Sequence, residues 1–539
     1  MNLVDFFNLH LPILPVLLPA GTAMLLLLIG DAAGDTASSH GNRRRKWARR
    51  IAITSVTLGL LLAARLALEA HEGVGALKVY RLGEWPAPFG IVLVIDRLSA
   101  MMLLLTASVA LPVLVYASGG WDAHGRYFHA LFQFQLMGLN GAFVTGDLFN
   151  LFVFFEVLLI ASYVLMMHGQ GRERFRVGVH YVVLNLAASA LFLIGVALLY
   201  ALTGTLNMAD LGLRVPMVTG PEAGVLRAAA LLLLVVFGFK AALMPLAMWL
   251  PATYAASSAP VAALFALMTK VGVYAILRVH GVMFGADAGD SAFTVQPILL
   301  PLALLTSVVG VLGALASNTL PRLVAWLTVA SVGTVLAALG LFNAAAWSAS
   351  LYYMANSTLV IAGLFLLSEL VAAQRGDVAD RLEPASPVAQ PTMLGLMLLL
   401  SAASVAGLPP LPGFIGKLMI LEASLPHPAV VAVWSVVLLV GFFTLVGLAR
   451  AGSILFWSVR ADAPGSGSGA SPQLLFATLT LLAAGVAMSV FAAPLQRYTD
   501  AAAAQLLDRA AYADAVLGEQ GGLQADTTRP YRIAPGGVK

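Results

Sequence analysis

The chain runs to 539 residues, of which 60% are hydrophobic and 10% charged, whereas about a quarter of an ordinary soluble domain is charged. That balance excludes a soluble globular domain and makes the chain an integral membrane protein. The formal charge of +4 is small for this length and the basic residues gather in loops, which argues against nucleic acid as a partner. Without cysteine there is no disulfide framework, thiol nucleophile or Cys-ligated cluster.

A transmembrane helix needs about 20 apolar residues, and such segments recur along nearly the whole chain. Hydropathy and helix breakers place helices over 12–30, 50–69, 91–117, 128–145, 148–167, 179–201, 225–247, 257–278, 296–316, 322–342, 349–373, 393–421, 430–457 and 472–493. The expected fold is an all-α polytopic bundle of about fourteen transmembrane helices. The first segment lacks the basic start and small-residue cleavage site of a signal peptide and is expected to stay as a mature helix. Arg43, Arg44, Arg45, Lys46, Arg49 and Arg50 follow the first helix, and Arg172, Arg174 and Arg176 follow the fifth. Because basic short loops stay cytoplasmic, odd-numbered loops are expected inside and both termini on the periplasmic side, although Arg497, Arg509, Arg529, Arg532 and Lys539 in the tail run against that assignment. Residues 461–472 read as a Gly/Ser/Pro loop. The following run from Leu495 to Leu517 reads as a helix lying on the surface or on a partner.

Four ionisable residues lie inside these apolar spans: Glu156, Lys240, Lys270 and Lys417. An intramembrane charge costs about 2.5 to 3.5 kcal/mol on insertion scales and marks an ion pathway by default. Glu156 lies near mid-membrane in LFNLFVFFEVLLIASYVLMM. Its proton affinity is raised by desolvation and lowered by a nearby ammonium, the physics of a proton-handling switch; the alternative is a static buried ion pair. Lys240 lies between Gly238 and Pro245, and the proline predicts a broken or kinked helix beside the charge. Pro409, Pro410, Pro412 and Gly413 predict a second break just before Lys417. Two interrupted helices in corresponding places suggest a duplicated unit, the sequence pointer to an ion site. The expected organisation is residues 1–127 as three N-terminal helices, 128–278 and 296–457 as two repeated five-helix units in inverted arrangement, and 472–539 as the last helix and surface tail. Lys270, deep in APVAALFALMTKVGVYAILR, stands between Lys240 and the second unit, where it suits a relay.

Asn356, Ser331 and Thr334 are candidate polar relay members, with Thr269, Tyr352, Tyr353, Ser357 and Thr358 also in reach of the role. Lone hydroxyls in membrane helices more often serve as packing glue. Arg278 and Arg322 fall at predicted helix ends and read as interface anchors. The histidines show no metal-ligand spacing. His10, His71, His124, His168, His280 and His427 fall in loops or at helix ends, and His129 and His180 near helix starts are the ones expected to be partly buried. There is no P-loop or nucleophile elbow. No metal or cofactor is expected, and neither is ATP hydrolysis.

The segments GEWPAPFGIVLVIDRLSAMM, DLFNLFVFFEVLLIASYVLM, KAALMPLAMWLPATYAASSAPVAALFALMTKVGVY and GLPPLPGFIGKL resemble the antiporter-like membrane subunits shared by respiratory complex I and the multisubunit cation/proton antiporters of the Mrp type. The pattern from Trp249 to Tyr274 is the most specific part. WPAPFGIVLV and LLDRAAYADAVLG are similar to the D-type subunit of the Mrp, or Pha, antiporters. The resemblance implies a hetero-oligomeric Na⁺ or K⁺/proton antiporter of the bacterial inner membrane, with other antiporter subunits as partners. It also implies that Glu156 and Lys240 form a switchable ion pair and that Lys270 and Lys417 continue a proton path along the membrane plane. Asn356 stands where related subunits often carry histidine, which implies a water-bridged link there instead of a titrating one. The alternatives are a proton-pumping subunit of a redox-driven complex and a scaffold whose buried charges only join helices. Asp147 and Glu369, near helix ends, are left without a role.

Overall fold

The computed structural model describes residues 3–30, 39–72, 77–85, 89–458 and 469–518. The part of the Gly/Ser/Pro loop before residue 469 and the tail arginines Arg529 and Arg532 with Lys539 lie outside the described residues. Among the described residues, twelve helices are long and apolar enough to cross a membrane. The two other predicted spans are Phe128–Val144, one turn shorter than most, and an interrupted pair, Pro391–Ala406 and Pro412–Ala423.

Local chemistry moves three boundaries from their expected places. Residues Val92–Ile95, expected as helix, form strand β2, which pairs antiparallel with β1 (Lys78–Arg81) in the register Lys78 to Ile95 and Arg81 to Val92. A short run of buried Val, Leu and Ile suits a strand as well as a helix, so hydropathy cannot separate them. Asp96 decides the point: its side chain accepts from the Ser99 N–H at 2.8 Å and starts the helix Arg97–Ala117. The basic cluster from Arg43 to Arg50 is not a loop but the start of the long helix Ser39–Glu72, in keeping with the good helix propensity of Arg, Lys and Ala. The tail run, expected as one helix on the surface or on a partner, forms two helices, Ala492–Leu507 and Arg509–Leu517, that pack on the chain's own body. Ser348 Oγ bonds Thr499 Oγ1 at 2.8 Å and Asp500 Oδ1 at 2.5 Å, and the Tyr498 hydroxyl donates to the Arg97 carbonyl at 2.9 Å.

Connections gather on two faces. On one, Arg49 holds Asp122 at 2.6 and 2.7 Å, His168 Nε2 meets the Trp121 carbonyl at 3.0 Å, Arg174 donates to the Ala256 carbonyl at 2.8 Å and Arg450 to the Ser317 carbonyl at 2.8 Å. These are the odd-numbered loops. The even-numbered ones meet on the other face, where the Gly146 N–H donates to the Val92 carbonyl at 2.9 Å and Asn343 to the Ala423 carbonyl at 3.3 Å. The first helix, through His10 and Tyr80 at 2.9 Å, and the tail helices join that second face.

The centre of the bundle is the segment Ala259–Met283, which is buried along its whole length, flanked by the almost fully buried helices Leu320–Leu339 and Ala344–Ala372. Gly272 sets the closest approach in this core. A Cβ there would meet the backbone of Phe237 and Ala241 at distances no side chain tolerates, so the absence of one lets the Lys270 segment lie against the Lys240 helix.

Candidate functional site

Each of the four intramembrane charges is held by neutral partners. Lys240 is in the last turn of Pro221–Ala241, where the helix stops at Ala242 in left-handed conformation (φ 62°). The carbonyls freed there are taken up locally: Gly238 accepts from the Leu243 N–H at 2.7 Å and Phe239 from the Trp249 indole at 3.1 Å. Pro245 lies inside the break, and the helix resumes as Trp249–Ala256. Lys240 Nζ is buried and donates to Asn185 Oδ1 at 2.9 Å, with the Phe239 and Phe155 ring centres 5.9 and 6.0 Å away. Glu156, half-buried on Leu148–Met166, accepts from Ser189 Oγ. Ser189 and Asn185 are one turn apart on Arg172–Thr203, so one helix presents a polar partner to each charge. In place of the expected direct Glu156–Lys240 contact, each charge has its own neutral partner on this helix.

Lys270 is fully buried in Met268–Ile276, its Nζ 3.3 Å from Thr269 Oγ1. Lys417 answers the second break in another way. Pro391–Ala406 ends at Gly407 (φ 88°), Pro409 and Pro410 occupy the gap, and Pro412–Ala423 restarts the helix. From this second half, Lys417 Nζ reaches back to the Val405 and Ala406 carbonyls at 3.0 and 2.8 Å. An ammonium at the carbonyl end of a helix satisfies orphan acceptors and meets the negative end of the helix dipole.

The candidate relay groups Thr334, Ser331 and Asn356 are buried in the interior. Thr334 Oγ1 bonds the Ala330 carbonyl at 3.1 Å, Ser331 is buried beside Tyr353, and Asn356 Oδ1 accepts from Ser404 at 3.2 Å. Asn185, Ser189 and Ser404 are absent from the neutral polar groups singled out in the sequence, because lone amides and hydroxyls in apolar helices read first as packing groups. An amide in the middle of VVLNLAASALFL was the available signal.

Two expectations about flanking residues are corrected. Arg278 is not an interface anchor: it is buried 2.5 and 2.8 Å from the Asp96 carboxylate oxygens, with the Tyr274 hydroxyl at 3.2 Å from its Nε. A guanidinium in the interior needs such a bidentate partner, and Asp96 supplies it across 182 positions of sequence. Among the histidines, His180 is exposed, whereas His280 is buried in the π-helical turn Leu277–Met283. His129 is buried against Asp122 at 3.0 Å. Arg322 is exposed at the start of its helix. Asp147 caps Leu148–Met166 through the Asn150 N–H at 2.8 Å, and Glu369 accepts from the Trp121 indole and from the Tyr116 hydroxyl at 3.1 Å.

Two broken helices, each with a buried lysine beside the break, are a specific arrangement, and the chain carrying them can be compared with known proteins. Residues 145–444 match the family described as NADH:quinone oxidoreductase/Mrp antiporter, TM. The chain belongs to this family. The matched stretch runs from the cap of the Glu156 helix past Lys417, so all four charges fall inside it. A probable K(+)/H(+) antiporter component of the D type from Rhizobium meliloti (strain 1021) is 40% identical, covering 94% of this chain and 97% of that one. The D-type component of a Na(+)/H(+) antiporter from Alkalihalophilus pseudofirmus is 37% identical over 95% of this chain and 100% of that one. Among solved structures, a chain of the Mrp complex from Dietzia sp. DQ12-45-1b superposes with a TM-score of 0.82 at 28% identity, covering 95% of this chain and 99% of that one. A chain of an archaeal membrane-bound sulfane sulfur reductase shares the fold at a TM-score of 0.82 and 24% identity, covering 94% and 100%.

Proposed function

We propose that this family member is the D-type, proton-translocating subunit of a multisubunit Na⁺(K⁺)/H⁺ antiporter in a bacterial inner membrane, a secondary transporter and not an enzyme. The carrying observation is the set Glu156, Lys240, Lys270 and Lys417, the glutamate half-buried and the three lysines buried, each with a neutral hydrogen-bonding partner. Neutral acceptors such as Asn185 Oδ1 and the Val405 and Ala406 carbonyls stabilise an ammonium without cancelling its charge. A proton on one lysine therefore disfavours a proton on the next, and Glu156 favours one on Lys240, so protons advance stepwise through the row. Ser331, Thr334 and Asn356 offer hydrogen-bonding positions between Lys270 and Lys417.

Residues 128–278 and 296–457 act as two repeated units joined by this row. The basic residues from Arg43 to Arg50 and from Arg172 to Arg176 lie toward the odd-loop face, which supports a cytoplasmic assignment for it and a periplasmic one for both termini. The proton-motive force drives the exchange, each charge being worth about 2.3 kcal/mol per 100 mV. Three amines make a poor cage for a hard cation that prefers oxygen ligands, so the cation path lies largely with partner subunits.

The test uses everted vesicles from cells lacking other antiporters and expressing the whole gene cluster. Respiration sets a pH gradient, Na⁺ or K⁺ is added, and dye dequenching is read. Wild type is expected to give cation-dependent dequenching that Lys240→Ala loses at equal levels of assembled complex. An assembled wild type that ignores both cations would instead favour the redox-driven pump, and full activity in Lys240→Ala would leave that lysine a structural role.

A further inference from the structure

Glu369 lies outside the set of four intramembrane charges, yet it lines a sizeable, partly polar cavity on the odd-loop face. The cavity holds about 190 Å³ and is lined by Arg174, Tyr254, Ser258, Ser368, Glu369 and Asp380, among others. A single water needs roughly 10–15 Å³ of such space, so this one admits several. Ser258 is 1% exposed and lines the cavity with its Oγ free of any protein hydrogen-bond partner. A buried hydroxyl in that state asks for water. On the inner wall, the Tyr254 hydroxyl donates to the Phe265 carbonyl at 2.6 Å. Phe265 is the last residue of Ala259–Phe265, and the helix is interrupted before Met268–Ile276 carries Lys270, whose own N–H bonds the Leu267 carbonyl at 3.0 Å.

We propose that this cavity is the proton port of the odd-loop face, with Glu369 as the carboxylate that exchanges protons with bulk water and Tyr254 as the hydroxyl between port and Lys270. The inference rests on the proton-translocating reading above and adds to it an entry the lysine row lacks. Groups facing Glu369 are Tyr116 from Arg97–Ala117, Trp121 and His124 from the following loop, and Arg174 from the start of Arg172–Thr203; Asp380 lines the same cavity. Arg174, fixed by the His168 and Ala256 carbonyls at 3.0 and 2.8 Å, places a permanent positive charge beside the carboxylate. That charge disfavours a metal-cation cage at this carboxylate. The step is balanced: a hydronium O–H bond breaks as its proton bonds to a Glu369 oxygen, and that new O–H bond breaks in turn as the proton passes to another cavity water, with no electron moved. Serine and tyrosine hydroxyls both donate and accept, as a relay requires.

The competing role is a brace joining two helices through Trp121 and Tyr116. Glu369→Gln separates the two, because the amide keeps the size of the carboxylate, can accept from the Trp121 indole with its oxygen and donate to the Tyr116 hydroxyl with its NH₂, but cannot exchange the proton. At wild-type levels of assembled complex, Glu369→Gln is expected to lower cation-dependent dequenching at least roughly tenfold, and Glu369→Asp to restore activity with a displaced pH profile. Infrared difference spectra of the purified complex, taken across a pH step in H₂O and D₂O, should show a titrating carboxyl band that is missing in Glu369→Gln and still present in Lys270→Ala. Wild-type transport in Glu369→Gln, or the absence of that band, would overturn the port. If Glu369→Gln fails to assemble, Tyr254→Phe decides: a severalfold loss supports the port and a wild-type rate overturns it. A titrating Glu369 in a complex that moves no cation would keep the port and discard the antiporter.

Discussion

Lys240 keeps an ammonium inside the bilayer span by donating to the Asn185 amide oxygen at 2.9 Å, and that single acceptor sets how the residue behaves. A buried donor left without an acceptor costs about 1–3 kcal/mol, more when it is charged. Asn185→Leu keeps the volume of the side chain and removes the acceptor, so transport is expected to fall about tenfold or more, as each ~1.4 kcal/mol corresponds to one factor of ten. Dequenching and thermal stability of the same purified complex check it. An unchanged rate would show that Lys240 needs no partner there. Ser189 plays the matching part for Glu156 one turn along the same helix. Neither residue stands out in the sequence, because an amide and a hydroxyl in an apolar helix are read first as packing groups.

The broken helices have one purpose and two constructions. In the first, Lys240 precedes the break and the freed carbonyls are taken by the Leu243 N–H and the Trp249 indole. In the second, Lys417 follows the break and is itself the partner of the freed carbonyls. Proline spacing predicts both breaks because a proline cannot supply the amide a continuing helix needs. It does not say which side of the break the lysine serves. Gly407 is the hinge of the second construction. Its φ of 88° is one that side-chain-bearing residues avoid, and a Cβ there would lie 2.9 Å from Lys417 Cδ. Gly407→Ala is expected to cost about 1–2 kcal/mol in backbone conformation and to displace the ammonium from its carbonyls. Transport should therefore fall further than the melting temperature does, and equal losses in both would reduce Gly407 to a purely structural glycine.

At the scale of the complete bundle, charge pairs on the odd-loop face tie together connections far apart in sequence. Asp122 is the centre of one such tie. Burial alone would raise its carboxyl, but hydrogen bonds from Arg49 and His129 hold it at about 2, against about 3.9 for a free aspartate. A carboxyl depressed in the folded state adds stability above its unfolded value, and that contribution fades as pH falls from about 4 towards 2. The melting temperature of the wild-type complex should exceed that of Asp122→Asn by a constant margin from neutral pH to about 5, and the margin should shrink below 4. A margin that ignores pH would remove the ion pair from the stability of this face. The membrane class, the approximate spans, both helix breaks and the four intramembrane charges were all legible in the residue string. Each follows from chain-local physics: apolar length, proline chemistry, and the high cost of a charge in hydrocarbon. It took the closed bundle to set Arg278 against Asp96 in the interior, to make residues 92–95 a strand, to fold the tail onto its own chain, and to give Glu156 and Lys240 their separate neutral partners, Ser189 and Asn185. Those outcomes depend on which helices become neighbours, and the partner of a buried polar group is fixed only when the bundle closes around it.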